Sequence, residues 1–477
     1  QTISVTVTGD EVVEDHETFT LTLGDVTNTT ATQDAVITTG ASAEATIKND
    51  DSAIITVSDV TAVETDPVYL GQGAGTTSFV FDVTLSHAVE GGLSIFISTS
   101  DGTAAITNSD YTARSATLAF RGEAGEVHQF TVAVQGDNVV EADETFKVVL
   151  GTPTDVSETI VAALSTQDGV GAVQNDDSPV LVELDGEGNL IITDQLPGGA
   201  DFSLVIQRAG DDLVIRDASL AVEIHSGVQV SASEGRIAYA TFSGRSILID
   251  AGDGDDTLAL DFSGGDPIPA NGLTFNGQRQ TSSDSLILMN GTVTNVTHTF
   301  VNANDGEVDV DGSTITYTGL EPITDNLVAI NRVFTFNGGT ETITLSDDGV
   351  AGNNISKIDS DKAEVVTFVN PTESLMIHAG SGDDLLSIQG VDSAFVANLT
   401  INGETGTDTI TFETAPTNLG GGDLTVTAET IWVNANISTT ENGTITLDAG
   451  ENLNLAATLI TTAGAIKLTA NGDVTTA

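Results

Sequence analysis

Two short acidic segments contain the residues of this sequence that are best suited to bind a metal ion. Residues 136–146 read Gly-Asp-Asn-Val-Val-Glu-Ala-Asp-Glu-Thr-Phe, and residues 9–19 read Gly-Asp-Glu-Val-Val-Glu-Asp-His-Glu-Thr-Phe. Each copy is followed by Asn-Asp-Asp, at 49–51 and at 175–177. Like charges this close repel one another by a few kcal/mol per pair at a surface-like dielectric. A hard cation that takes six to eight oxygen ligands would offset that repulsion.

Alternating apolar residues flank each acidic segment and predict the strands that position it. The flanks of the first copy, Val5, Val7, Leu21 and Leu23, correspond to Val132, Val134, Val148 and Leu150 in the second. Alternation on both sides predicts two strands joined by a loop. We therefore expect Asp137, Glu141 and Glu144 to gather at one end of a sheet. The alternative is that these acids are turn and capping groups that hold the loops by hydrogen bonds.

Several motifs of residues 52–177 together resemble one known domain. They are Glu64 after the first strand, Asp110-Tyr-Thr, the acidic loop that ends in Glu144-Thr-Phe, and the closing Asn-Asp-Asp. These motifs resemble the Calx-beta domain, a seven-stranded immunoglobulin-like sandwich found in sodium/calcium exchangers and in long bacterial surface proteins. Residues 1–51 match only the second half of the pattern, so we expect the sequence to begin inside such a domain.

The resemblance implies that the acidic positions bind calcium. In calcium-binding members the ligands come from positions that correspond here to Glu64, Asp110, Asp137, Glu141, Asp176 and Asp177. Glu144 joins them from the acidic loop. The corresponding acids of the first copy are Asp10, Glu14, Asp50 and Asp51. Calcium bound at those four would lie at the junction of the two copies and would stiffen it.

The composition is that of a strongly acidic β-protein. The formal charge is -57, from 70 Asp plus Glu against 13 Lys plus Arg, which disfavours nucleic acid and anionic membranes as partners. Such an excess requires counter-ions and fits either a calcium-containing or a salty medium. No cysteine occurs, which excludes disulfides and thiolate metal sites. No apolar run is long enough to span a bilayer, and abundant Gly, Thr and Val favour short strands and tight turns.

A second kind of repeat begins after Ser178. Residues 246–258, Ser-Ile-Leu-Ile-Asp-Ala-Gly-Asp-Gly-Asp-Asp-Thr-Leu, correspond to residues 374–386, Ser-Leu-Met-Ile-His-Ala-Gly-Ser-Gly-Asp-Asp-Leu-Leu. We predict two β-repeat units, 178–292 and 293–420. The turn of each unit resembles the nonapeptide of calcium-bound β-rolls, which makes Asp255, Asp256, Asp383 and Asp384 candidate ligands. Because the turn occurs only once per unit, ordinary Asp-Gly turn chemistry is the alternative.

The last segment, 421–477, has a shorter period. Leu424, Ile445 and Ile466 follow one another at intervals of 21 residues, which is the length of one turn of a parallel β-solenoid. The texture resembles bacterial solenoids of the filamentous-haemagglutinin type. The predicted fold class is therefore all-β: tandem Calx-beta sandwiches at 1–51 and 52–177, then the β-repeat units, then a solenoid.

The sequence predicts a structural or adhesive role, not an enzyme. No nucleophile, base and orienting group occur in a recognisable motif. We expect a segment of a giant exported bacterial surface protein, secreted or on the cell surface, in which calcium stiffens a shaft or filament. Expected partners are calcium ions, neighbouring copies or surface components, and an extracellular carbohydrate or host-surface ligand. The alternative, a polysaccharide lyase or hydrolase on a β-helix, needs aromatic and basic groove residues that are scarce here.

Overall fold

The structure, a computed structural model, is built almost entirely of β-strands, which confirms the predicted all-β class. It describes residues 2–24, 40–64, 75–137, 140–196, 201–280, 284–336, 339–413 and 415–476. The chain divides into two compact units, Gln1–Asp177 and Ser178–Ala477. Within the described ranges no helix is long and apolar enough to cross a membrane.

The first unit combines a two-stranded hairpin with a β-sandwich. Its elements are β1 (Glu17–Thr22), β2 (Ser42–Ile47), β3 (Ala53–Val57), β4 (Val60–Val63), β5 (Thr76–Leu85), β6 (Leu93–Ser100), β7 (Ser115–Phe120), β8 (Val127–Gln135), β9 (Glu144–Leu150), the helix α1 (Glu158–Ala163), β10 (Leu164–Gln167) and β11 (Gly169–Gln174). Strands β1 and β2 pair antiparallel. The sandwich consists of one sheet in the order β10-β3-β5-β8 and a second in the order β4-β11-β9-β6-β7.

An aromatic cluster fills the sandwich at the end where the acidic loops lie. The Phe146 ring stacks on Tyr111 with 4.6 Å between ring centroids, and it contacts Phe79 and Phe81 at 5.8 and 5.9 Å. All four rings are buried, and aromatic pairs at these distances stabilise a core beyond the area they bury. Because Tyr111 and Phe146 are fixed against each other, the acids just before them in the chain are fixed as well.

The strand predicted before the first acidic segment is absent, so that part of the prediction is wrong. Val5 and Val7 are 51% and 50% exposed, whereas the corresponding Val132 and Val134 of β8 are fully buried. A strand needs a neighbour to satisfy its N–H and C=O groups. Val132 pairs with β5, but residues 2–9 pair with no strand among the described residues.

The first acidic loop instead packs on the sandwich. Val13 is fully buried and belongs to the sandwich core. Its N–H donates to the Ala88 carbonyl oxygen at 2.9 Å, and its own carbonyl accepts the Glu90 N–H at 2.9 Å. The Ser157 hydroxyl donates to the Asp15 carboxylate. The first acidic loop is therefore held against the sandwich by backbone pairing at one point and a side-chain contact at another.

The second unit is organised around one large sheet. Its strands are β12 (Val180–Leu184), β13 (Leu190–Asp194), β14 (Ser203–Ala209), β15 (Asp212–Asp217), β16 (Val222–Ile224), β17 (Val228–Ser231), β18 (Glu234–Ala238), β19 (Ile247–Asp250), β20 (Asp253–Gly254), β21 (Thr257–Asp261), β22 (Leu273–Asn276), β23 (Arg279–Gln280), β24 (Ser285–Met289), β25 (Thr292–Phe300), β26 (Gly306–Val310), β27 (Ser313–Thr318), β28 (Ile323–Asp325), β29 (Val328–Phe336), β30 (Thr342–Asp347), β31 (Ile355–Ser360), β32 (Ala363–Val369), β33 (Ser374–His378), β34 (Leu385–Ile388), β35 (Asn398–Asn402), β36 (Thr409–Phe412), β37 (Thr417–Asn418), β38 (Leu424–Val433), β39 (Ile437–Ser438), β40 (Ile445–Leu455), β41 (Leu459–Ile460), β42 (Ile466–Ala470) and β43 (Val474–Thr476). Most long-range pairings are parallel, between strands one layer apart, and antiparallel hairpins interrupt them. The sheet continues across the predicted boundaries near residues 292 and 420, which stay predictions.

The sequence repeats occupy equivalent places in this sheet. In the first repeat β19 pairs in parallel with β22, and β21 with β24; in the second, β33 pairs with β35, and β34 with β36. In the last segment Leu424 pairs with Ile445, and Ile445 with Ile466, all in parallel. Leu424 and Ile445 are fully buried, while Ile466 is 42% exposed. The strand register thus follows the period of 21 residues, and the solenoid as a fold type stays a prediction.

A buried ionic group lies inside the second unit. His298, Asp325 and Arg332 are all fully buried. The Asp325 carboxylate accepts a hydrogen bond from the Arg332 guanidinium and lies 2.9 Å from Nε2 of His298. A second N–H of the guanidinium donates to the Leu327 carbonyl oxygen at 3.0 Å. Burial, together with the Arg332 charge, lowers the pKa of His298 well below its usual range. His298 is therefore neutral at pH 7, and Asp325 balances Arg332.

We predict that Asp325→Ala lowers the free energy of unfolding of the second unit by about 3–5 kcal/mol, because it leaves a buried guanidinium without its counter-charge. Trp432 is the only tryptophan of the chain and lies in β38, so its fluorescence during urea denaturation reports this unit. The control is Asp359→Ala, which removes a half-exposed pair with Lys357 at 3.4 Å and should cost less than about 1 kcal/mol. Equal losses in the two variants would contradict the prediction.

Candidate metal centre

Strand register brings the predicted ligands of the second copy to one end of the sandwich. Strands β4 and β11 pair in parallel with Val63 opposite Gln174, so Glu64 and the Asn-Asp-Asp segment leave the sheet side by side. The Glu64 N–H donates to the Gln174 carbonyl at 3.1 Å. Strand β9 pairs antiparallel with β11, with Glu144 opposite Val173. The carboxylates that follow β4 and β11 and the one at the start of β9 therefore lie at the same edge of the sheet.

Three acids form the centre of the group. Asp110, Glu141 and Glu144 each offer a carboxylate oxygen, and these oxygens lie within 4.8 Å of one another. In the part of the chain that the structure describes, this is the one group of three potential metal-binding side chains at such distances. Oxygens bound to one calcium ion at about 2.3–2.6 Å lie at most about 5 Å apart. The spacing and the all-oxygen donor set fit a hard divalent cation.

Burial and mutual repulsion raise the pKa values of the acids around this centre. The pKa of Glu64, which is 7% exposed, rises to about 7 because of burial first and then the charges of Asp137, Asp176, Glu141 and Asp110. The pKa of Glu144 also rises to about 7, through burial and its hydrogen bond and charge interaction with Asp110. The pKa of Glu141 is raised by burial and by Asp137 and Asp110. The group is therefore short of positive charge.

An asparagine that sequence reasoning passed over organises each acidic loop. Asn175 accepts the Glu141 N–H at 3.1 Å, and its amide donates to the Asp177 carbonyl at 3.2 Å. Asn49 makes the same two contacts in the first copy, with the Glu14 N–H at 3.3 Å and the Asp51 carbonyl at 3.0 Å. The repeated Asn-Asp-Asp was the available signal, because an amide both donates and accepts and so can join two backbone segments.

The acids of the first copy are gathered less closely. Asp10 is exposed and accepts the Val12 N–H at 2.9 Å, and Asp50 is exposed as well. The pKa of Glu14 is raised by burial and by the charges of Glu17, Asp10, Glu90 and Asp51. Glu90 belongs to the sandwich, so acids from both sides of the junction face each other here. They do not form a group as tight as the one around Asp110.

The candidate acids of the second unit occupy two environments. Asp255 is half-buried, and its N–H donates to the Asp201 carboxylate. Asp383 is exposed, and its carboxylate accepts the Thr407 N–H. Asp256 and Asp384 are fully buried. They accept the N–H groups of Phe202 and Glu341, each at 2.8 Å. Capping of neighbouring backbone, the alternative for these turns, is therefore one role of these residues.

We predict that the calcium-free first unit becomes less stable as pH rises from about 5 to 8. Glu64 and Glu144 have folded-state pKa values of about 7 against an ordinary 4.5, so the folded state binds the extra protons and its advantage is complete only below about pH 4.5. Glu64→Gln should raise the melting temperature in chelator at pH 8 and lower it in calcium. Calorimetry tests both changes in melting temperature. The control is Glu123→Gln, a substitution of an exposed residue. A melting temperature that rises with pH in chelator would refute the prediction.

Comparison with known proteins shows that the first unit is similar to a known domain family. No curated protein sequence matches the chain. Crystal structures similar to it include the apo form of the Calx CBD1 domain, with 20% identity over 27% of this chain and 100% of that chain and a TM-score of 0.20. The calcium binding domain CBD12 of CALX1.1 shows 17% identity over 34% of this chain and 55% of its own length, with a TM-score of 0.20. Residues 1–51 and 59–177 match the Calx-beta domain family, which confirms the resemblance seen in the sequence motifs.

Proposed function

We propose that this chain is a calcium-binding structural segment of an extracellular protein, in which calcium stiffens the first unit and its internal junction. The observation that carries the proposal is the centre formed by Asp110, Glu141 and Glu144, whose carboxylate oxygens lie within 4.8 Å of one another. The match of this region to the Calx-beta domain family supports it.

Glu64 and Asp110 have different parts in this proposal. Asp110 is held in place from behind, because its carboxylate accepts the Ala105 N–H at 2.6 Å while Tyr111 packs in the core. Glu64 is almost buried beside the same group and has a raised pKa. A divalent cation would remove the repulsion that destabilises the ionised acids, so calcium binding and closure of the loops favour each other. Calcium would therefore act as a structural cross-link at the end of the sandwich.

The contacts of the first acidic loop support a role for calcium at the junction. Val13 joins the sandwich core and Asp15 contacts Ser157, while Glu14 lies within electrostatic range of Glu90. A cation at Glu14 would draw together one acid from each side of the junction. This arrangement suits a segment that carries force, because the joint would resist rotation when the ion is bound.

We place the protein outside the cell or on its surface, where calcium is abundant and an acidic surface remains solvated. There the segment would act as part of an adhesive shaft or filament that contacts neighbouring copies, surface components or a carbohydrate. The Calx-beta match favours this role over a carbohydrate-active enzyme, because the acids of the matched region form a group suited to bind a cation and no recognisable catalytic motif accompanies them.

Calcium should raise the unfolding free energy of the first unit by about 2.7 kcal/mol at a hundredfold excess over its Kd, because it binds only the assembled acids. The double variant Asp110→Asn/Glu144→Gln should lose most of this gain and bind at least one ion fewer in calorimetric titration. Glu123→Gln, outside the centre, is the matched control. Identical melting temperatures of the parent chain in calcium and in chelator would disprove the proposal.

The junction can be tested by hydrogen exchange. The N–H groups of Val13 and Glu90 connect the first acidic loop to the sandwich, and we expect both to exchange at least about tenfold more slowly in calcium than in chelator, because opening this joint is a local event. The N–H groups of Phe81 and Val83 in β5 are internal controls within a paired strand. Equal protection of Val13 and Glu90 with and without calcium would contradict a stiffened junction.

A further inference from the structure

In the second unit, buried acids stand one above the other in adjacent layers. Asp256 precedes β21 and Asp284 precedes β24, the strand paired with β21. Both are fully buried. The Asp256 N–H donates to Oδ1 of Asp284 at 2.8 Å, so each carboxylate uses one oxygen to hold the backbone of its neighbour. The other oxygen, Oδ2, has no hydrogen-bond partner among the described residues in either case.

The second repeat contains the same arrangement. Asp384 precedes β34 and Asp408 precedes β36, again in adjacent parallel layers. Both are fully buried, and the Asp384 N–H donates to Oδ1 of Asp408 at 3.0 Å. Within the described ranges both Oδ2 atoms lack a hydrogen-bond partner. A lone buried carboxylate oxygen is costly. Both repeats therefore contain two buried carboxylate oxygens that need a positive partner or a donor.

We propose that each of these two aspartate pairs binds one calcium ion between adjacent layers, through the Oδ2 atoms of Asp256 and Asp284 and of Asp384 and Asp408. Neighbouring strands lie about 4.8 Å apart, which is twice a calcium–oxygen distance of about 2.4 Å. An ion midway between the layers can therefore bind both oxygens, whereas Mg²⁺, at about 2.0–2.1 Å, is too small to bridge the gap. This inference extends the proposed calcium-dependent role to the second unit.

Glycines leave room for the Oδ2 atoms of Asp284 and Asp408. A Cβ built on Gly277 would lie 2.1 Å from Oδ2 of Asp284 and 2.9 Å from the Gly319 carbonyl oxygen. The corresponding Gly403 would place a Cβ 2.5 Å from Oδ2 of Asp408. Any side chain at either position would collide with the carboxylate, and at the first site a backbone carbonyl faces the same point. Gly277 directly follows β22 and Gly403 directly follows β35, so each glycine lies in the same layer as its aspartate and leaves room there for Oδ2.

The charges around the two pairs differ. Asp256 faces Asp194 and Asp201 in addition to Asp284. Asp408 lies beside Glu429, whose carboxylate accepts the Asp408 N–H at 3.0 Å. Asp384 faces Asp383 and also Lys362, whose positive charge acts in the opposite direction.

The test counts calcium ions per chain by equilibrium dialysis. The full chain carrying Asp110→Asn, Glu64→Gln, Glu144→Gln and Glu14→Gln, in which both proposed calcium positions of the first unit are disabled, should still bind two ions. Adding Asp284→Asn should remove one, and adding Asp408→Asn should remove the other. Asparagine keeps Oδ1 as an acceptor for the neighbouring N–H and removes only the charge. Asp261→Asn, a buried capping residue in β21, should leave the count unchanged.

Lys362→Gln gives a readout that does not depend on a destabilising change, because Lys362 is exposed. It should tighten calcium binding at the second pair by about tenfold, since it removes a like charge near the ion. The inference is overturned if Asp284→Asn and Asp408→Asn leave the number of bound ions unchanged, or if Lys362→Gln leaves the affinity unchanged. Loss of ions only with the first-unit variants would support the proposed function and reject this extension. The reverse pattern would reject the proposed function alone.

Discussion

Repulsion between carboxylates that the fold brings together is the constraint on which the rest of this structure depends. With 70 acidic side chains against 13 basic ones, ion pairs within the chain cannot balance the charge. The acids concentrate where strands end, because loops there leave polar side chains free of the sheet. At the end of the sandwich this concentration raises the pKa values of Glu64 and Glu144 to about 7. The folded state therefore gains from any cation that enters.

The core determines how closely the acids approach. Phe146 stacks on Tyr111, and this contact sets the separation of Glu144 and Asp110, which lie next to those rings in the chain. Asn175 then ties the acidic loop to the segment after β11. Apolar packing thus supplies the free energy that holds like charges together. In our proposal, bound calcium offsets part of the repulsion between them.

Buried charge is handled in two ways in the second unit. Asp325 has a permanent counter-ion in Arg332, with His298 completing the group, so this charge is balanced within the chain. Asp256 and Asp384 instead use one oxygen for backbone N–H groups, and the other is buried without a hydrogen-bond partner among the described residues. An internal guanidinium balances a buried carboxylate whatever ions the medium contains. A carboxylate pair without such a partner can instead bind cations from the medium. The proposed ions would make the stability of both units depend on calcium.

The sequence by itself determined the all-β class, the relation between the two acidic segments and the register of the repeats. Alternation and period are local properties, and they persist whatever the strands pack against. Only the tertiary structure decided which copy is buried: Val132 and Val134 have β5 beside them and are enclosed, while Val5 and Val7, with the same pattern, stay about half exposed. It also decided that Asp284 and Asp408 stand beside Asp256 and Asp384, although neither lies in a recognisable motif. Burial and cross-layer pairing depend on which strand becomes the neighbour, and that is set by packing among residues far apart in the chain.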